Sequence, residues 1–208
     1  MSIRTFDRGP ETPIKLMVVI GSVRPGRIGL SVALWVHEHI TDRGGFEIDF
    51  VDLAELNLPM VDELRLPKTQ QYGRRHTEAW SARVEQADAF LFVSPEINSS
   101  FSPALKNALD FLFHEWGRKP VGLVSYGGRG GGAFATAALR PVLSDLQLIA
   151  ASSYIDIARA STQVEDGFFI PEEQQTARLD NLLDELHALA PALRSMRESA
   201  LVGGSVPR

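Results

Sequence analysis

Apolar and polar positions follow a repeating order along this chain: an apolar run, a turn, then a stretch at helical spacing. "IKLMVVI" (Ile14 to Ile20) is apolar but for Lys15 and precedes a predicted helix from about Gly29 to Ile40. "FEIDFVDL" (Phe46 to Leu53) alternates like a strand with one polar face. A helix from about Thr77 to Gln86 leads into "AFLFV" (Ala89 to Val93), and one from about Pro103 to Phe113 into "PVGLVSY" (Pro120 to Tyr126). A helix from about Ala133 to Asp145 leads into "LIAASSYIDIA" (Leu148 to Ala158). Leu179, Leu182, Leu183, Leu186 and Leu189 then mark a final helix at i, i+3, i+4, i+7 spacing.

Apolar strands alternating with amphipathic helices predict an α/β protein whose parallel sheet is covered on both faces. Five strands suit a three-layer doubly wound fold of the flavodoxin-like kind, with strand order 2-1-3-4-5. A chain of 208 residues without an internal repeat or linker predicts a single domain over 13–200, with 1–12 and 201–208 as loose tails.

Composition narrows the chemistry. The chain is 44% hydrophobic and 23% charged, with a net charge of -5. That gives no electrostatic case for nucleic acid or anionic membrane. No apolar run has the length of a membrane span, and the amino terminus has no signal-peptide core, so a cytoplasmic location is expected. There are no cysteines, which excludes thiolate metal sites and cysteine nucleophiles. The five histidines are scattered, so no metal site is expected. Ser125 lacks a nucleophile-elbow frame because Leu123 stands where G-x-S-x-G needs its first glycine.

In a doubly wound sheet, ligands bind beyond the carboxyl ends of the strands at the switch point between strands 1 and 3. The segments after Ile20, Val93 and Ser125 are therefore the ones to read. "GSVRPGRIG" (Gly21 to Gly29) opens a helix, offering unpaired backbone N–H groups, the Ser22 hydroxyl and the cationic forks of Arg24 and Arg27 to an anion. Arg27 and Ile28 stand where a Walker A loop needs Lys and Ser/Thr, so a nucleoside-triphosphatase is excluded. "SYGGRGGGAFA" (Ser125 to Ala135) lets backbone approach a flat ligand edge. Gly128-x-Gly130-x-x-Ala133 within it also fits a loose dinucleotide fingerprint. The loop between them, Pro95-Glu96-Ile97-Asn98-Ser99-Ser100, is dense in hydrogen-bonding groups.

"SPEIN" followed by "PALKNALDF" resembles the NAD(P)H-dependent FMN reductase family, whose loop commonly reads P-E-Y-N before a helix of the form P-x-x-L-K-N-A-[LI]-D. "GSVRPGRIG" resembles the family's phosphate loop, "DLAELNLP" (Asp52 to Pro59) its D-L-x(4)-L-P stretch, and "SYGGRGGG" its third flavin loop. The similarity runs in order from about Ile14 to Leu143. It implies FMN as cofactor, NADPH or NADH as cosubstrate, and hydride transfer through the flavin to a small acceptor by a ping-pong scheme. The acceptor classes implied are quinone, azo dye, metal oxyanion and free flavin. It also implies a homodimer or homotetramer.

Carried over by position, Ser22, Arg24, Arg27 and Gly29 hold the phosphate, and Pro95, Glu96, Ile97 and Asn98 line the ring and ribityl side. Ser125, Tyr126, Gly127 and Gly128 face the ring's other edge. Ile97 stands in place of the commoner tyrosine and offers neither stacking nor a phenol. No catalytic side chain is expected, because the cofactor supplies the chemistry and the protein positions the rings. Two other readings stay open: a flavodoxin-like electron carrier without nicotinamide turnover, and a flavin-free dehydrogenase using the Gly128 fingerprint.

Overall fold

In the computed structural model, which describes residues 13–203, five strand positions form one parallel sheet. The first strand, β1 (Ile14–Ile20), lies between β2 (Phe46–Asp52) and β3 (Ala89–Pro95), and β4 (Pro120–Gly127) follows β3. The order is the predicted 2-1-3-4-5. Because side chains alternate across a strand, β1 feeds two cores. Leu16, Val18 and Ile20 enter one, and Met17 and Val19 enter the other.

The first core is closed by α1 (Gly29–Arg43) and by α6 (Glu173–Gly203), through Val32, Val36, Ile40, Leu179, Leu182 and Leu186. The second is closed by α3 (Arg75–Gln86), α4 (Pro103–Asp110) and α5 (Ala133–Asp145). Trp80, Phe90 and Phe92 surround Trp116 there, with ring centroids 5.0–6.3 Å from it. Edge-to-face pairs at such spacing fix ring orientation as well as burying area.

Three details differ from the expectation. The predicted strand over Leu148 to Ala158 is split into β5 (Ile149–Ala150) and β6 (Ile155–Ala158), both paired with β4. Between them the amides of Ser152 and Ser153 donate to the carboxylate of Glu185 on α6, 2.7 and 2.9 Å away, and so leave the strand ladder. The helix beginning at Pro103 stops at Asp110 rather than Phe113, and His114–Trp116 form a separate 3₁₀ turn. The final helix keeps its backbone form through Gly203, past the tail expected from 201, while 1–12 and 204–208 lie outside the described residues. Two short elements had no clear signal in the pattern: α2 (Leu53–Leu56) and the antiparallel pair β7 (Val164–Glu165) and β8 (Phe168–Phe169).

Candidate functional site

The carboxyl ends of β1, β3 and β4 carry the three loops singled out above, and those loops meet. Gly21 N–H donates to Val93 O at 2.8 Å, and Ser102 Oγ donates to Gly21 O at 2.5 Å, so the first loop leaves the sheet fastened to the second. Ser102 is also the N-cap of α4, accepting from Ala104 N–H. Beyond these ties opens a cleft of about 550 Å³. Ser22, Arg24, Arg27, Pro95, Glu96, Ile97, Asn98, Tyr126, Gly127 and Gly128 line it.

The dense polar stretch after β3 is a tight reversal. Ile97 and Ser100 exchange both backbone hydrogen bonds, at 2.8 and 3.0 Å, around Asn98 (φ 48°) and Ser99 (φ 61°). Positive φ at both central positions is the signature of a type I′ turn, which asparagine tolerates at little cost. The turn leaves Ile97 41% exposed at the cleft, an aliphatic surface where the family pattern has an aromatic one. Glu96 ties this loop to the third. Its N–H donates to Tyr126 O at 2.8 Å, and its carboxylate accepts from Phe134 N–H, at the start of α5, at 3.1 Å. A carboxylate there also complements the positive helix end.

In the first loop the two arginines do different things. Arg27 forms a bidentate pair with Asp52, at 2.7 and 2.5 Å, and also donates to Ser22 O. Asp52, at the end of β2, caps α2 by accepting from Ala54 N–H. Arg27 thus braces the loop against the next strand. Arg24 is exposed at the cleft, and no ion pair among the described residues involves it. The amino end of α1 has no side-chain cap and no acidic residue in its first turn, so its N–H groups remain for an anion.

Two expected residues stand behind the cleft rather than on it. Ser125 is 3% exposed and points to the α5 side, where its hydroxyl donates to Asp156 at 2.5 Å and bonds Thr136 at 2.8 Å. It holds up the glycine loop from beneath. Gly29 is buried, and a β-carbon on it would stand 2.2 Å from the Tyr126 hydroxyl, so only glycine fits. Tyr126 itself lines the cleft, but its hydroxyl reaches under the first loop, not to the third loop's edge. At the third loop Gly131 (φ 66°) and Gly132 (φ 98°) turn the chain into α5 through left-handed backbone.

The cleft also contains Ile28, Arg159, Ser161 and Thr162, which the sequence reading passed over. The last three follow β6, whose carboxyl end lies beside that of β4, and Arg159 N–H donates to Gly128 O at 2.8 Å. The rule that pointed to the loops after strands 1, 3 and 4 applies equally to this one.

A doubly wound sheet with an uncapped, arginine-bearing helix end facing a glycine-lined loop defines a nucleotide-binding protein of the flavodoxin-like class. The family model for NADPH-dependent FMN reductases matches residues 14–161, and the chain belongs to that family. It is 37% identical over 170 residues to an NAD(P)H-dependent FMN reductase of Schizosaccharomyces pombe, covering 81% of this chain and 84% of that one. To an NAD(P)H:quinone oxidoreductase of Solanum tuberosum it is 31% identical over 192 residues, 89% of this chain and 97% of the other. Among solved structures, the FerB flavoenzyme NAD(P)H:(acceptor) oxidoreductase of Paracoccus denitrificans superposes with a TM-score of 0.66. Its sequence identity is 20%, over 85% of this chain and 98% of that one.

Proposed function

We propose that the cleft binds FMN and that the chain uses it to pass a hydride from NADPH or NADH to a small electron acceptor in a ping-pong cycle. The observation that carries this reading is the meeting, in a member of this family, of an uncapped helix end with the Pro95–Ser100 turn and the Gly127–Gly128 backbone around one cleft. A volume of about 550 Å³ suits a flavin, with one side open for a second ring. When bound, FMN supplies a ring that takes a hydride at N5 and returns the electrons to an acceptor.

The residues' parts follow from their placement. Arg24, Ser22 and the first-turn amides of α1 hold the phosphate dianion, while Arg27 keeps their loop in shape through Asp52. Pro95 to Asn98 and Gly127 to Gly128 offer main-chain groups and flat contact to the ring and ribityl chain. Ile97 gives the open face an aliphatic floor. The relatives named as quinone reductases make a small quinone the first acceptor to try.

A homodimer or homotetramer accords with the exposed Met60, Leu64 and Leu66, whose apolar side chains a second copy would cover. Among the described residues no helix is long and apolar enough to cross a membrane, and a cytoplasmic location belongs to the same reading. The test is an absorbance spectrum of the purified protein with FMN, followed by anaerobic NADPH or NADH. Flavin bands that bleach on nicotinamide addition are expected. Flavin that binds and does not bleach would make the protein a carrier, and absence of flavin binding would overturn the reading.

A further inference from the structure

Behind the first loop lies a hydroxyl without a partner. Tyr126 is 5% exposed, and its Oη is one of the few buried side-chain polar atoms among the described residues that make no hydrogen bond. A buried hydroxyl left unpaired destabilises a fold, so such an atom asks for an explanation. Its surroundings give one. The Oη lies 2.2 Å from where a β-carbon on Gly29, the first residue of α1, would stand, and Ser22 Cβ lies 3.2 Å from that same position. Burial pushes the phenol up to about 12, so it is a donor at any physiological pH. The Ser22 hydroxyl is near enough to oppose that rise, yet as placed it is out of hydrogen-bonding geometry with Tyr126.

Ser22 lines the cleft, whereas the Tyr126 hydroxyl is sealed behind it. On the reading that the cleft takes FMN, we infer that Tyr126 completes the phosphate site through Ser22: the Ser22 hydroxyl donates to a phosphate oxygen and accepts from the Tyr126 hydroxyl behind it. A serine whose proton is committed to an anion turns a lone pair toward Tyr126. Each bond in such a chain polarises the next, so the pair strengthens when the anion is present. Tyr126 is then a positioning residue for the phosphate, tied to it by its far end, while its ring packs in the core beneath α1. The glycine at 29 leaves the phenol the space to reach this point.

The test compares FMN with riboflavin, which has the same ring and ribityl chain without the phosphate. Fluorescence titration of both flavins is made on the wild type, Tyr126→Phe, Ser22→Ala and the double variant. Tyr126→Phe is expected to weaken FMN about three- to tenfold and leave riboflavin unchanged. Because the two hydroxyls act in series, the double variant should lose little more than Ser22→Ala alone. Equal weakening of both flavins, unchanged FMN affinity, or losses that multiply in the double variant would each overturn the inference.

A second measurement leaves the fold intact. The ¹⁹F resonance of 3-fluorotyrosine at position 126 should shift on binding FMN and stay in place on binding riboflavin; the same shift with both would overturn it. Should the wild type bind neither flavin, the cofactor assignment itself falls. FMN binding by the wild type with no phosphate dependence at Tyr126 removes only this inference.

Discussion

Arg24 and Arg27 stand three positions apart in one loop and carry the same charge, but of the two only Arg27 is ion-paired among the described residues. Arg27 is bound by two hydrogen bonds to Asp52 with little exposure of either side chain, so the pair belongs to the fold. Removing one partner of such a pair leaves the other charge uncompensated, at a cost of about 3–5 kcal/mol. Asp52→Ala should therefore lower stability by roughly 3 kcal/mol, read as an earlier urea midpoint, with the α2 cap lost as well. Arg24→Ala should leave that midpoint in place and weaken FMN binding by about 1.5–3 kcal/mol, the range for a hydrogen bond to a charged group. The reverse pattern would exchange the roles of the two arginines.

The helix α4 shows how an element positions more than its own face. Leu105, Ala108 and Leu109 point into the second core, as helical spacing predicts. Asn107 points elsewhere, accepting from Val61 N–H at 3.0 Å and donating to Pro59 O at 2.7 Å, and so pins the stretch that follows α2. Asp110 pairs with Lys106 one turn back on the exposed side. That stretch continues to α3 through contacts of its own. Glu63 accepts from the amides of Gly73 and Arg74, and Tyr72 donates to Glu115. Asn107→Leu should strand both Val61 N–H and Pro59 O, costing about 1–3 kcal/mol. Faster hydrogen exchange at Val61, with the exchange of β1 amides unchanged, is the expected result. A uniform rise across the sheet would mean that Asn107 supports the whole domain.

The cleft occupies the carboxyl end of the sheet, and at the other end Lys119, 4% exposed, precedes β4. Its ammonium donates to Val84 O and Glu85 O at 3.0 and 2.9 Å, covering carbonyls of the last turn of α3. Burial pushes this lysine down to about 8. The folded chain then releases the proton before the unfolded chain does, so from about pH 8 to the ordinary lysine value the unfolded state binds more protons. Stability rises with pH wherever that holds. Below pH 8 the charged lysine carries its full burial cost, and between pH 8 and about 10 the wild type should gain stability that Lys119→Met does not. Chemical unfolding at a series of pH values measures it, and parallel curves for the two proteins would refute the depressed lysine. Tyr126, raised by burial, has the opposite sign but acts only above that window.

The order and type of the main strands and helices, the three loops at one sheet end and the family were legible in the sequence, because each rests on residues close together in the chain. Helical spacing and apolar runs are local signals, and the parallel order follows from their alternation. The rest depended on which residues distant in sequence become neighbours in space. That Arg27 pairs with Asp52, on the neighbouring strand, while lining the cleft could be seen only in the fold. Ser125 and Tyr126 read alike in the loop, yet strand alternation sends one toward α5 and the other under α1. Glu185 breaks the last strand from a helix more than thirty residues away, and Arg159 reaches the cleft only because β6 lies beside β4. Periodicity decides what a segment becomes. Packing decides which groups are then spent on one another and which remain for a ligand.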